Sequence, residues 1–133
     1  MNRKSYRFLV LVAVFALLGA ALPAFAHHSG RAEWDANREA VAEGVLTHVD
    51  WSNPHIYIYM NVKEPGGKVV EYSFQSGPPS VLHKAGLKKD DFPIGDHVKI
   101  TFAPAKDGSK NAGWLKMIKY SDGHVFVYRN GSE

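Results

Sequence analysis

Two adjacent histidines, His27 and His28, directly follow Ala24-Phe25-Ala26, a small-x-small tripeptide of the kind that signal peptidase accepts. Cleavage after Ala26 would make His27 the first residue, with a free α-amine beside its imidazole. The reference pKa values of these two groups are about 8 and about 6.5, so both can offer a nitrogen lone pair near neutral pH. Together they can close one chelate ring on a metal, and one further histidine would complete a T-shaped set of three nitrogens.

Cu(II) is the metal that such a nitrogen set predicts, because Cu(II) prefers tetragonal nitrogen ligation and heads the divalent affinity series. The chain has no cysteine, so any metal would be held by nitrogen and oxygen ligands. His28 offers a second mode of capture, through the amine, the intervening amide and its own ring. The other five histidines are scattered, and spacing alone does not choose among them; we take His55 as the candidate third ligand. The simpler alternative is that His27 and His28 belong to a solvated polar arm.

A second candidate site surrounds the segment Trp51-Ser52-Asn53-Pro54-His55. Its polar face continues along the next strand, and His48 and Asp50 are expected to point to one common side of the preceding strand. Aromatic side chains with a polar end suit a binding surface. The residues predicted to form a ligand or partner face are Trp51, Asn53, Tyr57 and Tyr59. The alternative is a rigid strand corner followed by ordinary solvent-facing positions, since Pro54 restricts both itself and Asn53.

The N-terminus has the three parts of a secretory signal peptide. Basic residues lie between Met1 and Arg7, and an apolar stretch runs from Phe8 to Leu22. That stretch is shorter than the roughly 20 residues that a membrane-spanning helix needs. Residues 1–26 are therefore predicted to be a cleaved signal peptide, which leaves a periplasmic or secreted protein with no membrane span after cleavage.

Charge argues against nucleic acid as a partner. Three of the 16 lysines and arginines lie in the predicted signal peptide, which leaves 13 basic against 13 acidic residues in the mature chain. A formally neutral, exported domain lacks the basic surface that nucleic-acid binding requires. The basic pI of the whole chain is thus mainly a targeting feature.

Recognisable enzyme motifs do not occur in the chain. It contains no Gly-x-Ser-x-Gly elbow, no phosphate-binding glycine loop and no His-Glu-x-x-His pair. We therefore expect a non-enzymatic binding protein, and Cu(II) binding is the most specific function that the sequence predicts for it. The alternative function is a periplasmic interaction module that docks a protein or a small ligand on its aromatic and histidine face. The sequence identifies neither that partner nor the oligomeric state.

The elements that must position these residues are mostly strands. Residues 27–39 are predicted to be a polar arm, and residues 40–133 a single β domain. The first strand carries Val41, Val45, Val49 and Trp51 on one face, with Gly44 marking a bulge or bend. The second has the clearest alternation, with four apolar residues on one face and four polar ones on the other. The apolar face is Ile56, Ile58, Met60 and Val62, and the polar face is His55, Tyr57, Tyr59 and Asn61.

The later part of the chain predicts a third strand, a short helix and two or three further strands. Val70, Tyr72 and Phe74 are expected to point inward, and Val69, Glu71, Ser73 and Gln75 outward. Pro79 to Ala85 is predicted to be helical, with Gly86 as its stop. Three strands, a helix and then two strands is the order of a small OB-like β-barrel of five or six strands. An open sandwich or roll with the same strands is the rival architecture.

Several of these segments together resemble a family of small exported bacterial proteins known as domain of unknown function 6152. The similar segments are His27-His28-Ser29, Gly44-Val45-Leu46-Thr47, Trp51-Ser52-Asn53-Pro54-His55, Gly95-Asp96-His97-Val98 and Lys106-Asp107-Gly108-Ser109. The first and third are the more specific. The resemblance implies export and a barrel-like β domain, and it implies no substrate and no catalytic residue.

Overall fold

The computed structural model describes residues 2–3 and 33–128. The rest of the predicted signal peptide, together with His27 and His28, lies outside the described residues. Within the described residues no helix has the length and apolar character that crossing a bilayer requires. The helices and strands are β1 (Ala40–Asp50), β2 (Tyr57–Lys63), β3 (Val69–Gln75), α1 (Pro79–Lys84), a 3-10 turn (Lys89–Asp91), β4 (His97–Pro104), β5 (Ala112–Lys119) and β6 (Val125–Val127).

The strands form a closed barrel. β1 pairs with β2 and β4, β2 with β3, and β4 with β5, all antiparallel, while β3 closes the circle by pairing in parallel with β5. The order β1-β2-β3-β5-β4, with α1 between β3 and β4, is that of an OB-fold. The predicted all-β barrel with one short helix is therefore confirmed over the open sandwich. β6 adds a sixth strand beside the C-terminal half of β5.

Closure depends on a close approach at Gly113. This residue pairs with Phe74 on β3 and with Pro104 on β4. A Cβ atom there would lie 2.8 Å from the carbonyl oxygen of Ala103 and would overlap the ring of Phe102. Glycine therefore lets three strands meet where the barrel closes.

The barrel interior is filled by apolar side chains that alternate along the strands. The predicted inward face of the second strand is confirmed, since Ile56, Ile58, Met60 and Val62 are all buried. Leu82 of α1 is fully buried in the same core. Trp51 packs against this core, with its ring 6.0 Å from that of Phe92.

The prediction for the first strand is wrong at two positions. Val41 and Val45 are 58% and 39% exposed, whereas their neighbours Ala42 and Leu46 are buried. The pairing of β1 with β2 shifts between Leu46 and His48, because β1 has one extra residue there. This extra residue changes which side of the strand faces inward, so Val49 is buried as predicted although Val41 and Val45 are not.

Gly44 lies at a close contact between β1 and β2, whereas the bulge in β1 lies between Leu46 and His48. A Cβ atom at this position would lie 3.0 Å from the carbonyl carbon of Asn61 on β2. Absence of a side chain thus allows β1 to run close to β2.

Gln75 is the other exception to the predicted faces. It was expected to point outward into solvent but is only 6% exposed. At this position β3 has neighbours on both sides, with Tyr57 opposite on β2 and Trp114 opposite on β5. Gln75 therefore lies between two strands instead of at a sheet edge, which accounts for its low exposure.

Candidate functional site

A tyrosine pair lies on the outer surface of β2. Tyr57 and Tyr59 point away from the barrel core, and each is partly exposed. Their ring centroids are 6.4 Å apart and the ring planes differ by 28°. The two rings therefore form a nearly continuous aromatic surface, as the alternation along this strand predicted.

β1 adds a carboxylate and an imidazole to this surface. Asp50 is paired with Tyr57, and His48 with Tyr59. The His48 and Tyr59 rings are 5.7 Å apart. We call the four residues His48, Asp50, Tyr57 and Tyr59 the tyrosine face. Burial, followed by the negative charge of Glu33, raises the pKa of Tyr57 above its usual value. A tyrosine hydroxyl is protonated at physiological pH even at its usual pKa of about 10, so that of Tyr57 can donate a hydrogen bond.

A cleft of about 330 Å³ opens beside His48. Its volume lies at the lower end of the range for small-molecule sites. Val49 and Phe92 are buried residues in its lining, whereas Ile94 is exposed. Lys89 and Asp90 supply one charge of each sign. The cleft is thus a mixed polar and apolar depression contiguous with one member of the tyrosine face.

His55 lies just before β2 in a more enclosed setting. Its Nδ1 atom is 3.1 Å from the carbonyl oxygen of Ser76. A carbonyl oxygen can only accept a hydrogen bond, so Nδ1 must carry the proton. In the neutral ring, Nε2 then has the free lone pair. A histidine held through one nitrogen by a backbone carbonyl has the arrangement commonly found for metal-ligating histidines.

Aromatic packing orients the same ring. The indole of Trp114 on β5 meets the His55 ring edge to face, with centroids 6.0 Å apart and planes at 80°. Trp114 in turn packs edge to face against Tyr128, also at 6.0 Å. His55 is partly buried by these contacts.

Backbone hydrogen bonds fix the carbonyl that His55 uses. The amide of Ser76 donates to the carbonyl of Ile56 at 2.9 Å, and the amide of Ile56 donates to the carbonyl of Gly77 at 3.2 Å. The amide of Gly77 donates to the hydroxyl of Tyr128 at 3.1 Å. Burial raises the pKa of Tyr128, and the bond from Gly77 opposes that shift. Tyr128, from the end of the chain, therefore supports the segment that holds His55.

Trp51 and Asn53 do not join the tyrosine face. Trp51 packs instead against Phe92 and His83, with its ring centroid 5.5 Å from that of His83. Asn53 is exposed in the loop between β1 and β2, and its peptide bond to Pro54 is cis. The structure thus brings Tyr57 and Tyr59 together with His48 and Asp50, and places Trp51 at the end of the barrel near α1.

Trp34, which precedes β1, anchors the described part of the N-terminal arm. It is 7% exposed and forms a small cluster with Ala103 and Ala105, and Trp114 packs against this cluster. Backbone bonds flank it, because the Asp35 amide donates to the Pro104 carbonyl and the Lys106 amide donates to the Glu33 carbonyl. Sequence reasoning assigned no role to Trp34 or Trp114. The available signal was a single large apolar residue in an otherwise polar arm.

Residues 36–39 are held by a lysine of β5. The ammonium group of Lys116 donates to the carbonyl of Ala36 at 3.1 Å and to that of Arg38 at 3.5 Å, and it pairs with Glu39 at 3.1 Å. The arm is therefore attached to the barrel from Glu33 to the start of β1.

Metal-ligating side chains do not cluster within residues 33–128. That part of the chain contains no group of three or more histidine, aspartate or glutamate residues placed to hold a metal ion. His55 is thus a single candidate ligand there, while the candidates His27 and His28 lie outside the described residues.

The sequence matches the model of the DUF6152 family over residues 14–128, which is most of the chain. No curated protein and no solved structure matches it. The family is described as one of unknown function, so the match identifies relatives without supplying an activity. The chain belongs to the DUF6152 family.

Proposed function

We propose that this protein is exported to the periplasm and binds Cu(II) through the N-terminus that signal-peptide cleavage creates. Cleavage after Ala26 gives His27 a free amine. That amine and the His27 ring bind one edge of the metal, and Nε2 of His55 supplies a third nitrogen. Three nitrogens in a T-shape suit the tetragonal geometry that Cu(II) prefers. The function is capture or buffering of the metal, with no chemical reaction.

The geometry of His55 is the observation that carries this proposal. Its Nδ1 atom donates to the Ser76 carbonyl, which leaves Nε2 free as an acceptor. Trp114 restricts the orientation of the ring. A histidine fixed in one tautomer and one orientation gives up little conformational freedom when it binds a metal, which favours tight binding.

Chain length allows the N-terminus to approach His55. Glu33 lies near enough to Tyr57 for its charge to raise the pKa of that hydroxyl, although burial contributes more. Tyr57 is two residues from His55. The six residue-to-residue steps from His27 to Glu33 can span about 20 Å when fully extended, so chain length permits the His27 amine to approach His55.

His28 provides a competing mode at the same terminus. The amine, the amide between the two histidines and the His28 ring can surround Cu(II) without any contribution from the barrel. The two modes differ in their dependence on His55. Only the first loses a ligand when His55 is replaced.

The proposal is tested by Cu(II) titration against a competing chelator. The processed protein, which starts at His27, is compared with the same protein acetylated at its N-terminus and with His55→Ala. Both changes are expected to weaken binding by about tenfold or more, since each removes one metal-binding nitrogen and even the loss of an outer-shell partner costs about that much. His97→Ala is the matched control, because His97 is exposed at the start of β4. Equal affinity in the processed and acetylated forms would rule out the terminal chelate, and equal affinity in His55→Ala would assign binding to the His28 mode.

The tyrosine face supports a second candidate function, docking of a periplasmic protein or a small ligand. Its two stacked tyrosines, one carboxylate and one imidazole lie beside a cleft that is large enough for a small molecule. Tyr57→Ala and Tyr59→Ala are expected to abolish such docking while the terminal amine remains intact. If the protein binds copper and neither Tyr57→Ala nor Tyr59→Ala changes the binding of a partner or ligand, the first function is favoured.

A further inference from the structure

We propose that the tyrosine face binds a neutral oligosaccharide, with the rings of Tyr57 and Tyr59 against the sugar rings and neighbouring polar side chains on the sugar hydroxyls. This inference rests on the second candidate function, docking at the tyrosine face, and names the class of ligand. It depends neither on copper nor on the N-terminus, because every residue that it uses lies within residues 33–128.

The tyrosine face is part of a larger polar surface on the outer side of β1, β2 and β3. Residues that are paired across neighbouring strands point to the same side of a sheet. Here they form three rows of three residues, nine in all, which we call the three-row surface: Asp50, Tyr57 and Gln75; His48, Tyr59 and Ser73; and Val45, Asn61 and Glu71. Apart from Gln75, each of these residues is partly or fully exposed.

The polar groups of the three-row surface can both donate and accept hydrogen bonds. The carboxylates of Asp50 and Glu71 only accept, whereas the Ser73 and Tyr57 hydroxyls and the Asn61 amide can also donate. A sugar hydroxyl is itself both a donor and an acceptor, so it is matched by a mixed set of this kind. A phosphate group would need donors alone, and an ammonium group would need acceptors alone.

Charge favours an oligosaccharide over an oligonucleotide, the two polymers that OB-folds bind on the face of their second and third strands. The three-row surface contains two carboxylates and no lysine or arginine. Burial raises the pKa of Tyr57, and the charges of Glu33 and Asp50 raise it further, so both carboxylates act on this hydroxyl. The first lysine on this side of β2 is Lys63, four positions beyond Tyr59 and about 13 Å along the strand. A phosphate chain would therefore meet negative charge where it needs positive charge.

The size of the three-row surface suits a few sugar rings better than a protein. Three strands about 4.8 Å apart and three rows about 6.7 Å apart cover roughly 300 Å². A stable protein interface buries about 800 Å² on each partner. The rings of Tyr57 and Tyr59 differ by 28° in orientation and offer nearly parallel aromatic faces. The negative face of an aromatic ring attracts the C–H groups on the apolar side of a sugar ring.

Nuclear magnetic resonance titration of the isotope-labelled processed protein detects binding and locates it in one experiment. The probes are three neutral hexasaccharides, cellohexaose, maltohexaose and chitohexaose. We expect at least one of them to shift the backbone amide signals of the three-row surface in a saturable manner. Its dissociation constant should be equal at about 50 mM and about 500 mM NaCl, because salt does not screen the binding of an uncharged ligand.

Substitutions at the tyrosine pair test whether the aromatic rings hold the sugar. Tyr57→Ala and Tyr59→Ala should each raise the dissociation constant by about tenfold or more, because each removes an aromatic surface that the sugar ring covers. Tyr59→Phe keeps its ring and should retain most of the affinity. Val127→Ala is the matched control, since Val127 is also an exposed apolar residue but lies on β6, and it should bind as the wild type does. If circular dichroism shows that an alanine variant is unfolded, the wild-type amide shifts still identify the site.

Three results would overturn the inference: no shift with any of the three probes, shifts confined to residues outside the three-row surface, or wild-type affinity in folded Tyr57→Ala and Tyr59→Ala. A lysine homopeptide and a thymidine oligonucleotide are the comparison ligands. If one of these binds the three-row surface with an affinity that falls as salt is added, and no hexasaccharide binds, the sugar class is wrong while docking at the tyrosine face stands. The failure of the inference is therefore distinguishable from the failure of the docking function.

Discussion

Tyr128→Phe and Tyr120→Phe each remove one hydroxyl group from a buried tyrosine, but only the hydroxyl of Tyr128 is hydrogen-bonded. Tyr128 is 8% exposed, and its hydroxyl accepts the amide proton of Gly77. Tyr120 is 3% exposed, and its hydroxyl has no hydrogen-bond partner. The two substitutions therefore form a matched pair, because both remove a buried hydroxyl group but only Tyr128→Phe also removes a hydrogen bond.

Loss of the Tyr128 hydroxyl should leave the buried Gly77 amide without an acceptor. A buried backbone donor in that state costs about 1–3 kcal/mol of unfolding free energy. For a domain of this size, about 1 kcal/mol corresponds to a melting temperature lower by roughly 4–8 °C. Tyr120→Phe removes an unpaired hydroxyl, so its unfolding free energy should stay within about 0.5 kcal/mol of wild type or increase.

Urea unfolding followed by tryptophan fluorescence measures both differences. We expect a lower midpoint for Tyr128→Phe with an unchanged slope, since the surface exposed on unfolding is the same. The His55 ring should also become less ordered, because Gly77 and Ser76 belong to the segment that holds it. Equal midpoints for the two variants, or a larger loss in Tyr120→Phe, would refute this account of the Gly77 bond.

Three further predictions concern alkaline stability, the arm and barrel closure. Burial, together with the charges of nearby aspartates, raises the pKa of Tyr120 to about 12. Its contribution to stability is therefore complete below about pH 10 and is lost as the pH rises towards 12, so urea unfolding at pH 11 should show a loss of about 1 kcal/mol that Tyr120→Phe lacks. Lys116→Met should speed amide hydrogen exchange in residues 35–38, measured by mass spectrometry, because it removes the ammonium group that holds the carbonyls of Ala36 and Arg38. Lys119→Met is the control, since Lys119 is exposed on the same strand, and it should leave the exchange unchanged. Equal exchange in the two variants would contradict the role of Lys116. Gly113→Ala should lower the unfolding free energy, measured in urea, by about 3 kcal/mol or more, because its Cβ would collide with Phe102 and the Ala103 carbonyl. An unfolding free energy equal to that of wild type would show that the strands can separate at this position.

Local alternation was enough to predict β2 and the tyrosine pair on its outer side. A strand with one buried face and a period of two leaves little freedom, so Ile58 and Met60 inside imply Tyr57 and Tyr59 outside. The turn and helix chemistry between β3 and β4 was equally local, and α1 ends next to Gly86 as expected. The order of these elements favoured the barrel over an open sandwich, but the closing contact between β3 and β5 could not be read from the alternation and is supplied by the structure.

Long-range contacts account for what sequence patterns missed. One additional residue between Leu46 and His48 reverses the faces of β1, and the apolar pattern of Val41 and Val45 gave no sign of it. Gln75 is covered because β3 acquires a second neighbour when the barrel closes. Neither effect is visible in the residues adjacent in the chain.

The surroundings of His55 were the least predictable part. Ser76 meets His55 because it continues the pairing of β3 with β2, whereas Trp114 of β5 meets His55 only when the barrel closes. Trp34 was visible as an unusual residue in a polar arm, but its seat on Ala103 and Ala105 depends on β4. The sequence therefore suggested His55 as a candidate without indicating what fixes its orientation.

Crystals of the processed protein grown with Cu(II) provide the most direct measurement. Anomalous diffraction at the copper absorption edge locates the metal without assuming its ligands. We predict one strong peak within coordination distance of the His27 amine, the His27 ring and Nε2 of His55. A peak that lies away from His55, or no ordered peak at stoichiometric copper, would contradict the proposed site.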